Sequence, residues 1–272
     1  MNHTSKTLVF AGPTLSGLSA WRTARSDRYV FHSPVRCGHV LEAHREGFHT
    51  LVLIDGLFER CPAVWHKEIM FFIDRGGTVI GCSSMGALRA VELEPFGMLG
   101  YGKVVDDLKA GVIADDDEVT VAHLGAAHDY LALTDAMVNI RYTVADAVAR
   151  AALDPAAAER IVALAKNAFY KKRSLALFAR QVLSDEALDR FHDYLTRHGM
   201  VDQKRRDAIA LLDNLDSWLP VARDQARRSP EPLSYTMLIQ NLQYLADVNP
   251  PQLERQALTR ESSVLKMGRL LV

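Results

Sequence analysis

A chain of 272 residues with 49% hydrophobic and 24% charged side chains is long enough to bury roughly 70–75% of its unfolded surface, in one domain or one with an appendage. Its 32 Lys and Arg against 33 Asp and Glu leave a net charge of -1, so no bulk positive field draws it to nucleic acid or anionic lipid. Cys37, Cys61 and Cys82 contain no C-x-x-C pair, and no window reaches the about eighteen apolar residues of a membrane span, so a cytoplasmic protein without a targeting segment is expected.

The first 125 residues alternate short apolar runs with helical stretches. Thr7-Leu-Val-Phe-Ala11, Tyr29-Val-Phe31, Leu51-Val-Leu-Ile54 and Thr78-Val-Ile-Gly81 lack the polar alternation of a half-solvated strand, which predicts strands covered on both faces. Helices are expected at about 16–25, 36–46, 62–75 and 84–93, the third opened by Pro62. This rhythm predicts an α/β domain over 1–125, a doubly wound and mainly parallel sheet of flavodoxin or Rossmann type. Residues 126–272 are expected to be all-helical. Ile161, Leu164, Ala165, Ala168 and Phe169, then Leu188, Phe191 and Leu195, follow helical stripes that predict core positions. Asp154-Pro155 and Ser184 read as helix starts, with Gly199, Pro220 and Pro230 as breaks. Arg223, Arg227 and Arg228 read as a solvated helix face.

In an open parallel sheet, ligands bind beyond the carboxyl ends of the strands. There the chain carries Gly12-Pro-Thr-Leu-Ser16-Gly17, Asp55-Gly56 and Gly81-Cys-Ser-Ser84-Met-Gly86. Cys82-x-Ser84-x-Gly86 has the small flanking residues that a tight strand-to-helix nucleophile turn requires. Ser84 is then a candidate nucleophile at a helix N-terminus, with the N–H groups of Met85 and Gly56 as oxyanion donors. Ser83 or Ser84 acting only as a helix cap is the competing reading. His66 is the histidine that topology favours as base, and Asp55 or Glu59 its orienting carboxylate. Gly12, Ser83 and Arg89 are further candidate substrate contacts, and Cys82 is an alternative nucleophile ranked below Ser84. Asp115-Asp-Asp-Glu118 lacks the loop pattern of a calcium hand and reads as a polar loop, so no metal is expected. The spacing from Gly12 to Gly17 lacks the phosphate-loop Lys-Ser/Thr and is no dinucleotide fingerprint, so no cofactor is expected either.

Taken together, Phe10-Ala-Gly-Pro-Thr14, Leu53-Ile-Asp-Gly-Leu-Phe58, Pro62-Ala-Val-Trp-His-Lys-Glu-Ile69, Gly81-Cys-Ser-Ser-Met-Gly-Ala-Leu-Arg-Ala90 and Asp115-Asp-Asp-Glu-Val119 resemble the TfuA-like family. The resemblance extends over about residues 7–145, including Val138-Asn-Ile-Arg-Tyr-Thr143, and is weaker beyond. It implies a role beside YcaO-type, thioamide-forming enzymes that modify ribosomally made peptides. It further implies hydrolysis of the C-terminal thiocarboxylate on a ThiS-like sulfur carrier, which frees sulfide near the YcaO partner, and help for that partner in engaging its precursor peptide or protein. The turn reads Cys-Ser-Ser where Ala-Ser-Ser is more often expected. A non-catalytic scaffold for the YcaO enzyme is the alternative. The helical half is expected to hold the partner surface, with Lys204, Arg205 and Arg206 among exposed positions of a 202–219 helix.

Overall fold

The computed structural model describes residues 6–57, 59, 61–226 and 240–241. Phe58, Arg227, Arg228 and Pro230, which figure in the sequence reading, lie outside the described residues. Five parallel strands, β1 (Thr7–Phe10), β2 (Tyr29–His32), β3 (Thr50–Leu53), β4 (Thr78–Cys82) and β5 (Leu99–Tyr101), form one sheet in the order β2-β1-β3-β4-β5. The four apolar runs are the first four strands, and the flavodoxin-like order puts β3 beside β4 as expected. Strand β5, three residues long and following the turn at Gly97, is an addition.

Burial on both faces explains the unbroken apolar runs. Leu8, Phe10, Leu51, Leu53 and Val79 pack with α2 (His39–Arg45), α3 (His66–Asp74) and α4 (Met85–Glu92). Their neighbours Val9, Ala11, Val52, Ile54, Ile80 and Cys82 face the other way, toward α1 (Ser19–Thr23) and the last described helix. Helix α3 starts at His66 rather than at Pro62, because residues 62–65 stay outside the helix, Trp65 is extended, and the buried Glu68 carboxylate accepts the N–H groups of Trp65 and Gly38. One side chain thereby satisfies the starts of two helices, α2 and α3.

After α5 (Lys103–Lys109), a long ordered segment leads to α6 (Met137–Ala149), α7 (Pro155–Asn167), α8 (Leu175–Val182) and α9 (Asp185–His198). These four share a core built on Ile140, Ile161, Ala165, Leu175 and Phe191. Asp154 caps α7 by accepting the Ala157 N–H at 3.0 Å, and Ser184 precedes α9. Two stripe positions depart from the core expectation: Leu164 and Phe169 are exposed. Helix α10 (Gln203–Ala226) then returns to the sheet. Its Ala208, Leu211, Leu212, Leu215 and Ala222 cover the face made by Val9, Ile54, Ile80 and Cys82. Pro220 does not break it, because packing on the sheet holds both sides of the proline; beyond it Ala222 is buried and the Arg223 guanidinium bonds Thr78 Oγ1 at 2.7 Å. Arg223 is therefore no solvated face residue.

Candidate active site

The strand ends open into a cleft of about 420 Å³. Pro13 follows β1, Asp55, Gly56 and Leu57 follow β3, and Ser84 follows β4. The segment from Thr120 to Gly125, with Tyr130 and Leu133, forms a cover, and Tyr170, Lys171 and Lys204 complete the wall. That cover is ordered by paired backbone: Leu124 N–H donates to Leu131 O at 2.9 Å and Leu133 N–H to Ala122 O at 2.7 Å. Asp129 ties it to the β1 turn, accepting from Gly17 N–H at 2.7 Å and from Arg22 at 2.6 Å.

The β4 turn is tighter than the sequence spacing suggests. Ser84 N–H donates back to Cys82 O at 2.7 Å across Ser83, whose φ of 66° lies in the left-handed region, so three residues form a strained γ-turn. The glycines permit it, because a Cβ on Gly81 would stand 1.9 Å from Gly86 O and a Cβ on Gly86 1.7 Å from Leu53 O. Ser83 thus takes the strained centre of the turn, one residue earlier than the elbow spacing implies, while Ser84 faces the cleft as the first residue before α4. The Ser84 side chain makes no capping bond; its hydroxyl donates to Val119 O at 3.2 Å. The N–H groups of Met85 and Gly56 have no hydrogen-bond partner among the described residues, and the two residues are adjacent, since a Cβ on Gly56 would lie 2.8 Å from Met85 Cβ.

Other candidates are employed elsewhere. His66 is exposed and its Nε2 pairs with Glu92 Oε2 at 2.7 Å, near the far end of α4, where Arg89 also bonds Glu92 at 2.5 Å and Val64 O. Eight residues of helix separate Glu92 from Ser84, about 12 Å along the axis, so His66 and Arg89 do not join Ser84. Asp55 does not orient His66. Its buried carboxylate accepts Gly12 N–H at 2.8 Å, Thr14 N–H at 3.0 Å and Thr14 hydroxyl at 2.7 Å, which knots the β1 turn to β3 and occupies the Gly12 N–H that an oxyanion would need. Glu59 pairs with Lys171 at the cleft rim. Cys82 is fully buried, and desolvation pushes its thiol well above the usual range, the opposite of an activated thiolate.

Residues 55–174 match the model of the TfuA-like protein family. That segment is TfuA-like. It spans Asp55, the β4 turn, the cleft cover and Lys171, and it implies an accessory role in thioamide-forming systems built on YcaO-type enzymes. A search of curated proteins gives no match. Within the TfuA-like segment, Lys166 Nζ bonds Asp115 at 2.6 Å and Glu118 at 2.9 Å, Arg173 bonds Asp117 at 2.6 Å, and Arg141 bonds Glu118 at 2.7 Å. The acidic run is thus a brace that fixes the base of the cover. No described helix is long and apolar enough to cross a membrane.

The sequence reading missed Lys204, which lies outside the matched segment yet lines the cleft. It is not a solvated charge: Lys204 is 4% exposed and its Nζ donates to Val119 O at 2.7 Å. Arg205 is occupied too, bonding Thr14 O at 3.0 Å and Ser16 O at 2.9 Å, and only Arg206 of the three is exposed. No local signal separates Lys204 from its basic neighbours; only the return of α10 to the strand ends does.

The Asp55 knot makes a stability prediction. Asp55→Ala strands three donors beside the cleft and should cost about 2–4 kcal/mol, whereas Asp55→Asn keeps an oxygen for the two N–H groups and should cost less than half of that. Urea midpoints check the order; an Ala variant as stable as the parent would deny the knot any part in holding the β1 turn.

Proposed function

We propose that the chain hydrolyses the C-terminal thiocarboxylate of a ThiS-like sulfur carrier, supplies the sulfide to a YcaO-type partner and helps that partner engage its peptide. The observation that carries this reading is Ser84, held by a strained turn at a helix N-terminus in a cleft, with the N–H groups of Met85 and Gly56, unpartnered among the described residues, nearby. Attack of the Ser84 oxygen on the thiocarboxylate carbon forms a tetrahedral oxyanion. Its collapse breaks the C–S bond, releases hydrosulfide after a proton reaches the sulfur, and leaves an acyl-serine that water cleaves to the carboxylate. A cleft of about 420 Å³ suits a slim carrier tail better than a folded surface.

A scaffold reading draws on the exposed Leu131, Leu133 and Phe169 near the same rim, an apolar surface suited to a protein partner. One experiment separates the two. The protein alone is incubated with thiocarboxylated carrier, and the carrier mass and free sulfide are followed. Conversion to the carboxylate with equimolar sulfide is expected; an unchanged carrier in the presence of tight YcaO binding would leave only the scaffold.

A further inference from the structure

We propose that residues 122–134 of the cover are a lid, which swings as one body on two fixed roots and is held shut over Ser84 by one latch, the contact of Asp129 with the β1 turn and α1; this rests on Ser84 being the reacting group of the cleft. The roots meet at one side chain. On the entering side the fully buried Arg173 bonds Asp117 O at 2.9 Å and the Asp117 carboxylate at 2.6 Å, and on the leaving side its carbonyl accepts Asp135 N–H at 3.1 Å. Asp135 is fixed a second time, its carboxylate accepting Leu175 N–H at 2.8 Å. The chain therefore leaves and re-enters the braced body at neighbouring points, which is the geometry of a hinged flap.

Burial marks where the lid begins and ends. Val119 and Ala136 are buried, whereas every residue from 121 to 135 is half-buried or exposed, so no residue of the lid is anchored in a core. Its backbone is ordered from within instead. Besides the pairing of Leu124 with Leu131 and of Leu133 with Ala122, Ala122 N–H donates to Thr134 Oγ1 at 2.9 Å and Tyr130 N–H to Gly125 O at 3.2 Å. Bonds that stay inside a segment survive when it moves as a body. Among the described residues, the hydrogen bonds that leave this segment are those of Asp129 alone, to Gly17 N–H at 2.7 Å and to Arg22 at 2.6 Å.

The latch works against the backbone. Asp129 and Tyr130 are consecutive non-glycine residues in the left-handed region, with φ of 48° and 56°, a conformation that a bulky side chain such as tyrosine disfavours. Held this way, Tyr130 lies against Gly12, where an added Cβ would come within 3.2 Å of its ring, and beside His123, with ring centroids 5.9 Å apart. Both rings line the cleft. Release of Asp129 lets the tip relax as it departs.

Under the closed lid Ser84 is only 9% exposed. A tail joined to a folded carrier does not bring its end to a hydroxyl so covered, and the lid has to lift first. Lifting exchanges two bonds on one carboxylate for water and relaxes two strained residues, a small net cost that permits opening without unfolding the sheet. Arg22 and Asp129 are partly exposed, so salt reaches the latch while the lid is shut.

Alkylation of an introduced thiol tests the lid without requiring turnover. In full-length Ser84→Cys the thiolate displaces iodide from iodoacetamide as the C–S bond forms, and peptide mapping separates this product from those of Cys37 and Cys61, which serve as references on the same chain. Adding Asp129→Asn, which tolerates the left-handed backbone but removes the charge, should speed alkylation at position 84 about 5–30-fold and leave Cys37 and Cys61 unchanged. Arg22→Gln, which breaks the latch from the other side, should do the same. Arg25→Gln, which breaks a similarly exposed pair with Asp213 away from the lid, should stay within about twofold. Raising salt from about 0.05 to 0.5 M should speed the single variant about two- to threefold and have no such effect once Asp129→Asn is present. Hydrogen exchange of the unaltered protein gives a second reading that no variant can distort: Gly17 N–H, freed by each lift, should exchange well ahead of the Leu124 and Leu133 N–H groups, whose partners travel with them. Equal alkylation rates with and without the latch would overturn the latch. Exchange of Leu124 and Leu133 in step with Gly17 would overturn the rigid lid in favour of local melting. Gated alkylation at position 84, beside an unaltered protein that leaves thiocarboxylated carrier intact, would keep the lid and refute the substrate.

Discussion

Ser84→Ala is expected to lower carrier hydrolysis at least about ten-thousandfold while leaving the fold in place. The serine oxygen is the bond-forming atom of the proposed reaction, so its loss removes the acyl route rather than weakening it. Structurally the loss is small: one hydrogen bond of 3.2 Å to Val119 O and no capping bond, which amounts to about 1 kcal/mol. Cys82→Ala should remain active, because its thiol sits in the sheet core beneath the turn rather than in the cleft. His66→Ala should stay within about twofold, since it disturbs an exposed pair with Glu92 on another part of α4. Sulfide release by the four proteins, each checked for a native circular-dichroism spectrum, measures this. Turnover in Ser84→Ala beside a dead Cys82→Ala would transfer the role to the thiol.

The parts of the molecule legible in the sequence are those whose burial is two-sided and local. Leu51-Val-Leu-Ile54 reads as a covered strand because both faces of β3 lie in the core, and no partner needs to be known to infer it. Strand β5 escaped because Leu99–Tyr101 is three residues long and contains Gly100, too little to establish a pattern. The helical character of α10 was readable, but its position was not. A helix that carries Lys204, Arg205, Arg206 and Asp207 in its first turns reads as solvated, and only contacts with Val119, Thr14 and Val104 across the chain engage Lys204, Arg205 and Asp207, while Arg206 stays exposed. His66 fails for a related reason. Topology puts the start of α3 near the strand ends, but residues 62–65 lie outside the helix and the ring is drawn to Glu92, a partner that spacing does not reveal. The tight turn before Ser84 was legible because steric demand is written in small residues, whereas the burial of Lys204 in the cleft wall was not, because it depends on contacts from distant parts of the chain.

The turn that positions Ser84 should also be the point where the fold is least tolerant. Gly86→Ala introduces a Cβ 1.7 Å from Leu53 O and 2.5 Å from its carbonyl carbon, and both atoms belong to the central strand β3. Backbone cannot step aside as a flexible side chain does. Relief requires α4 to lift from β3, which stretches the 3.2 Å bond from Gly86 N–H to Ile54 O and withdraws Ser84 from Val119 O. A cost of about 3 kcal/mol or more is expected, at the upper end for an over-packed core, and corresponds to a fall of roughly 6–12 °C in thermal midpoint. Gly125→Ala is the matched control. Gly125 lines the same cleft with a φ of -78° and nothing within 4 Å of an added Cβ, so its midpoint should move by less than about 2 °C. Labelling of Ser84 by a fluorophosphonate, which reacts with activated serine hydroxyls, should follow the same order, because a displaced α4 withdraws Ser84 from Val119 before the sheet itself unfolds. A Gly86→Ala protein with parental midpoint and parental labelling would mean that α4 does not rest on β3 as closely as the 1.7 Å approach requires, and the strained turn would lose its structural cause.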